Sequence, residues 1–227
     1  MSASLLEVIV TDRADAEAAA AGGADRLELI AHPDLGGMTP SAAILHDVLS
    51  ATDLPVRVMI RRQEAHRLDG AAVARLATDV ENLTQATEFV CGAVDGAGLP
   101  DPRLRPVIDA FAGRSWTFHR AVDGAPDLAD AVRAALALPG CDQVLTAGAA
   151  SGVDTGLPRL QALLSDDTLA PGVLVGGGIT DDNLPALLAM GARGIHVGRT
   201  VRADGTWHSP VDAARVRALR RLSSPVE

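Results

Sequence analysis

The sequence predicts an α/β protein built as a single (β/α)8 TIM barrel, and three observations carry that prediction. The chain has 227 residues, a length that one barrel domain accommodates. Short apolar runs alternate eight times with longer Ala/Leu/Asp/Arg segments of helical spacing, the pattern of βα units on a parallel sheet. An open doubly wound sheet would want GxGxxG after its first strand, and the turn there reads VTDRAD, without glycine.

The elements follow in order. LLEVIV at 5–10 is the first strand, and a helix over 12–21 leads to RLELI at 26–30. Thr39-Pro40 reads as the N-cap and first turn of a helix over 40–50, which precedes VRVMI at 56–60. A helix over 70–87 leads to FVCGAV at 89–94, and a helix over 103–112 to SWTFH at 115–119. A helix over 127–137 precedes QVLTA at 143–147, and one over 155–165 precedes VLVG at 173–176. The last unit runs from a helix at 181–190 through GIHVG at 194–198 to a helix at 212–222. AAGGADRLEL at 20–29 echoes LAMGARGIHV at 188–197: a helix end, a glycine near the cap, then a strand. No linker or composition shift divides the chain, so residues 1–227 are expected to form one domain.

Side chains alternate along a strand, and parallel strands turn apolar residues toward the helices. Leu27 and Leu29 then face outward and Arg26 and Glu28 inward. The same parity places Glu7, Arg57, Met59, Arg61, Thr117, His119 and His196 inside the barrel. Barrel interiors are normally filled by branched apolar residues, so a set containing Glu7, Glu28, Arg61, His119 and His196 points to chemistry at the C-terminal mouth. Phe118-His119-Arg120-Ala121-Val122-Asp123 adds an imidazole, a guanidinium and a carboxylate at one strand end, suited to acid–base work. The candidate catalytic residues are therefore Glu7, Glu28, Arg61, His119 and Asp123.

Gly176-Gly177-Gly178 ends the seventh strand and Gly198-Arg199 the eighth. Glycines there let backbone N–H groups approach an anion, which makes these five residues the candidate anion-binding site. Gly36-Gly37, after the second strand, suits a backbone folding over the mouth. His32, His46, His66 and His208 read as surface or loop residues. Neither HExxH nor CxxC occurs, so no metal site is assigned from spacing.

Composition excludes several classes. The net charge of -9 repels nucleic-acid backbones and anionic lipid, and 2% aromatics cannot build a base-stacking platform. All 20 basic residues are Arg, so reactions that need a Lys amine are excluded: Schiff-base aldolases, pyridoxal-phosphate enzymes and P-loop ATPases. Two isolated cysteines, Cys91 and Cys141, suit a reducing compartment. The N-terminus lacks a basic leader and no long apolar run occurs, so a cytoplasmic protein without a membrane span is expected.

Taken together, LEVIV, GADRLELIAHPDLGGMTPS at 23–41, VRVMIR at 56–61, GAVDG at 92–96, FHRAVD at 118–123, VLTAGAA, VGGGITDDNL and GARGIHV resemble the copper homeostasis protein CutC family. The match covers most of the chain in the right order. The resemblance implies a cytoplasmic, dimeric (β/α)8 barrel with a role in copper homeostasis and copper as the bound ion. The matching family positions are Glu7, Arg26, Glu28, Gly37, Arg61, Asp95, His119, Arg120, Asp123, Asn183, Gly176 and Gly178. The chain departs from the family at Ile30, where members carry a Cys, and at Val8-Ile9-Val10 in the first strand. Arg62-Gln63-Glu64-Ala65-His66 replaces a Gly-rich stretch, which leaves Cys91 and Met38 as the remaining soft donors. Two functions are therefore expected: copper handling, or a lysine-independent isomerase, epimerase or lyase acting on a small phosphorylated or carboxylated metabolite.

Overall fold

Every strand of a helix-covered parallel sheet is buried on both faces, so its polar residues survive only where the barrel interior can pair them. The computed structural model, which describes residues 4–223, follows this rule. Eight strands close in chain order: β1 Leu5–Val10, β2 Arg26–Leu29, β3 Val56–Met59, β4 Glu88–Cys91, β5 Trp116–Phe118, β6 Cys141–Thr146, β7 Val173–Gly176 and β8 Gly194–Val197. All neighbours pair parallel, and β1 closes the ring on β8 through Glu7 opposite His196. Around them lie α1 Arg13–Gly22, α2 Ala42–Leu49, α3 Gly70–Asn82, α4 Arg105–Ala110, α5 Leu128–Leu136, α6 Val153–Leu164, α7 Leu184–Ala189 and α8 Ala213–Ser223. Leu6, Val8, Leu27, Leu29, Val58 and Phe89 are fully buried against this layer, each worth about 2 kcal/mol. Ile9, Ile30, Met59 and Val90 form a second, smaller cluster. Their sequence parity is opposite to that of the outer set, as the alternation predicts.

Helix starts are set by short acceptors. Asp12, Ser41, Asp69 and Asp127 each take a backbone N–H of the first turn. The expected cap at Thr39 is corrected to Ser41, because Thr39 has another task. Its hydroxyl and backbone N–H exchange hydrogen bonds with the backbone of Arg61 (2.8–3.0 Å), joining the loops after β2 and β3. The two echoing glycines, Gly23 and Gly191, do end helices in the left-handed region. The seventh helix starts three residues later than expected. Thr180 and Asn183 hydrogen-bond each other into a turn (Thr180 N to Asn183 Oδ1, 2.9 Å) that uses the intervening residues.

Gly156 carries one mechanical demand. It brings α6 so close to the end of β6 that an added Cβ would lie 1.9 Å from the Ala147 carbonyl oxygen. Backbone cannot yield as a flexible side chain can. Gly156→Ala is expected to destabilise the fold by about 3 kcal/mol, read as a lowered denaturant midpoint.

Candidate functional site

Inward-facing residues sort by depth along the barrel axis. The lowest layer is an ion lattice. Arg26 donates from Nε to Glu7 (2.5 Å) and from Nη2 to Gln143 (2.5 Å). Arg57 donates to Glu88 (2.8 Å) and Asp142 (2.7 Å) and also meets the Thr117 hydroxyl. Buried guanidinium groups are tolerated here because each is paired with a carboxylate.

Above the lattice opens a cavity of about 760 Å³ at the C-terminal ends of the strands. Of the eight polar residues that parity places inside the barrel, Glu28, Arg61, His119 and His196 line it together. Glu7 does not line it. It lies beneath His196, whose Nδ1 is 2.7 Å from Glu7 Oε1, and His196 Nε2 faces Glu28 Oε2 at 3.6 Å. Glu28 Oε1 is buried and has no hydrogen-bond partner among the described residues.

This stack separates the two carboxyls electrically. Burial favours the neutral form of Glu7, but Arg26 and His196 outweigh it and hold the pKa at about 2. Burial pushes Glu28 up to about 7, with the Glu7 charge adding to the rise against His196 and Arg26. Burial also opposes the charge on His196, but Glu28 and Glu7 outweigh it and raise that pKa. The result is an ionised Glu7, an imidazole biased toward its cation and a Glu28 carboxyl that can gain or lose its proton near neutrality. Opposed pKa values in neighbouring groups are the mark of acid–base sites.

The other candidates occupy more specific places than expected. Arg61 lines the cavity, but three of its N–H groups go to carbonyl oxygens of Gly36 (2.7 Å), Gln63 (3.0 Å) and Glu64 (2.6 Å). It therefore staples two mouth loops, and Pro33, Asp34 and Gly36 of the loop after β2 line the cavity. His119 Nδ1 accepts from the Ala121 N–H (3.2 Å), which places the proton of the neutral ring on Nε2. Burial, then Arg61 and His66, keep His119 neutral, well below its ordinary pKa.

Asp123 requires correction. It was expected beside His119 at the mouth, but the helical turn after β5 carries it into the wall toward β6. There it accepts from Thr146 Oγ1 (2.5 Å), the Ala147 N–H (3.1 Å) and Arg120 Nε (2.7 Å), and it does not line the cavity. Asp123 positions Arg120, which does line it.

The glycines are also explained differently. A Cβ on Gly176 would strike Leu145 and His196, one on Gly177 the Arg120 guanidinium (2.4 Å), and one on Gly198 the Trp207 ring (2.4 Å). Gly176 itself does not line the cavity. Side chains of this protein use the space at these three positions. Gly177, Gly178, Gly198 and the exposed Arg199 do line the cavity, and of these glycines only Gly178, with φ +98°, has room for a Cβ, whose nearest neighbour would be Val153 N at 4.0 Å.

The lining residues outside the expected catalytic and anion-binding sets include His66, Arg120 and Trp207. The His66 ring lies 5.2 Å from that of His119, and its Nδ1 is buried without a partner among the described residues. Its signal in the sequence was the departure at 62–66. Arg120 was legible in FHRAVD, whereas Trp207 had no local pattern.

The donor set does not fit copper. Cys91 faces the helix layer, opposite in parity to Val90, and burial pushes its thiol up to about 12. Cys141 begins β6 at the far end of the barrel, also at about 12 through burial. Among the described residues no three His, Cys, Asp or Glu side chains group to hold a metal ion. In the native protein Ellman's reagent is expected to label neither thiol, and in denaturant both. Competition with a Cu(I) chelator is expected to show no affinity tighter than about micromolar.

Comparison with known proteins is consistent along the whole chain. A model of the CutC family matches residues 4–201. A CutC family protein of Xanthomonas campestris pv. campestris (strain B100) is 34% identical over 235 residues, 96% of this chain and 98% of that protein. One of Rhizobium meliloti (strain 1021) is 36% identical over 248 residues, 99% of this chain and 98% of that protein. A crystal structure from Streptococcus agalactiae, described as a copper homeostasis protein CutC, superposes with a TM-score of 0.76. Identity there is 22%, over 86% of this chain and 98% of that chain.

Proposed function

This chain belongs to the CutC family, and from that premise we propose that its barrel mouth is the active site of a proton-transfer enzyme, an isomerase, epimerase or lyase, for a small anionic metabolite. One observation carries the reading: Glu28, which lines the cavity, has its Oε1 buried without a partner among the described residues and is backed by His196 and Glu7. An orphaned buried oxygen costs about 1–3 kcal/mol, a cost a bound ligand would remove. Glu28 takes or gives the proton. His196 and Glu7 keep a compensating charge directly behind it. His119 Nε2–H and Arg120 supply donors to the substrate's anionic or carbonyl oxygen, and Arg61 holds the loops that enclose it. Arg199 and the open face at Gly178 extend the anion-binding side.

At the level of the family, the chain is placed with proteins associated with copper homeostasis. A direct role in binding the ion would need donors that the mouth does not gather. Both cysteines are free and buried, and no described helix is long and apolar enough to cross a membrane, which supports a cytoplasmic site of action.

Proton transfer at carbon leaves a trace even when the product is unknown. In D2O, a mixture of sugar phosphates and 2-oxo acids should acquire deuterium with the wild-type protein, read by mass spectrometry. His119→Asn should lower the rate by about 10²-fold. No deuterium in any component, or an unchanged rate in the variant, would remove the proposal.

A further inference from the structure

The chain is poor in aromatic residues, and it hides nearly all of them. Phe89, Phe111, Phe118 and Trp116 are buried in the layer between strands and helices. Trp207, in the loop between β8 and α8, is the exception. It is half-buried and lines the cavity. Gly198 lets its six-membered ring reach the C-terminal end of β8 beside Ile9, which is in register with Glu28. The ring is also held in place. The Arg202 guanidinium stacks over it at 5.0 Å, and Arg202 is itself fixed by Asp15 (2.8 Å) and the Ser209 carbonyl (2.7 Å). Apolar side chains share the lining: Ile9, Ile30, Met59 and Leu145. A fixed aromatic ring among apolar side chains, with Glu28 Oε1 unpaired among the described residues and donors at Arg120 and His119, matches a flat ligand with an anionic end.

We propose that the mouth selects a planar, unsaturated acid, a conjugated or heteroaromatic carboxylate or phosphate ester, whose flat body lies against Trp207 beside Glu28 and whose anionic end meets the donors of Arg120 and His119. Saturated sugar phosphates of similar size are poor ligands. This inference rests on the reading of the mouth as a proton-transfer site, but binding tests it separately from turnover.

The probes are furan-2-carboxylate and its saturated counterpart tetrahydrofuran-2-carboxylate, titrated into the intact protein. Trp116 is sealed in the core, so a change in tryptophan fluorescence reports Trp207. Furan-2-carboxylate is expected to change the emission saturably and to bind about tenfold more tightly than the saturated acid. By calorimetry, Trp207→Leu should erase that preference and Trp207→Phe retain it. Equal binding of the two acids by the wild type, or no response to either, overturns the proposal without recourse to a variant. So does a preference that persists in Trp207→Leu. If furan-2-carboxylate binds as expected but no metabolite exchanges its protons, the acid–base reading falls and the planar site stands. If only saturated sugar phosphates exchange, the planar site falls and the acid–base reading stands.

Discussion

Glu28→Gln is expected to abolish solvent exchange into substrate, by about 10²–10⁴-fold, while making the protein more stable above neutral pH. The two effects share one origin. A raised pKa in the folded state means that folding favours the protonated carboxyl. The stabilisation is complete below the unfolded value of 4.5 and is lost as pH rises through about 7. Above that, the fold holds an ionised Glu28 whose Oε1 has no partner among the described residues. The amide of Gln has the same shape and never ionises. The variant's melting temperature should therefore vary less between about pH 5 and pH 7 and exceed the wild type at about pH 8. Glu7 gives the opposite sign. Its folded pKa of about 2 contributes stability that is present above 4.5 and is lost as pH falls toward 2. Acid unfolding should persist in Glu28→Gln for that reason. Unchanged exchange together with an unchanged pH profile would show that Glu28 neither reacts nor bears the burial cost assigned to it.

Asp15→Ala is expected to be the more damaging change for stability, although Asp15 lies outside the cavity. Its carboxylate receives Arg202 Nη2 (2.8 Å), the Val211 N–H (2.8 Å) and both the N–H and hydroxyl of Thr11 (3.1 and 2.9 Å). Both members of the ion pair are 2% exposed, and Arg202 Nε already lacks a partner among the described residues. Removing the acid leaves a guanidinium buried without a counter-ion, a loss of about 3–5 kcal/mol. In a chain of this size that lowers the melting temperature by about 10 °C, measurable by circular dichroism. Asp15→Ala combined with Arg202→Met should recover part of the loss, because no charge is then stranded. If the double variant is as unstable as the sum of the singles, the ion pair is not the cause. Both variants should also loosen Trp207, whose ring rests on Arg202.

How much of this could be read without coordinates depends on which physical rule governs each residue. Strand identity and facing follow from a two-residue period that the backbone imposes locally. The inward set Glu7, Arg26, Glu28, Arg57, Arg61, His119 and His196 was therefore legible from letters alone. Family membership was legible too, from ordered motifs spanning most of the chain. Depth was not. Whether an inward carboxylate joins the lower lattice, as Glu7 does, or opens to the cavity, as Glu28 does, is set by the stagger of strands around the closed ring, which no single segment encodes. Loop side chains were equally hidden. Asp123 turns into the wall, His66 returns beside His119, and Trp207 fills the space over Gly198, because contacts distant in sequence decide where a loop comes back. Local periodicity determined which residues enter the barrel of this protein. Ring closure and long-range packing decided which of them meet a ligand.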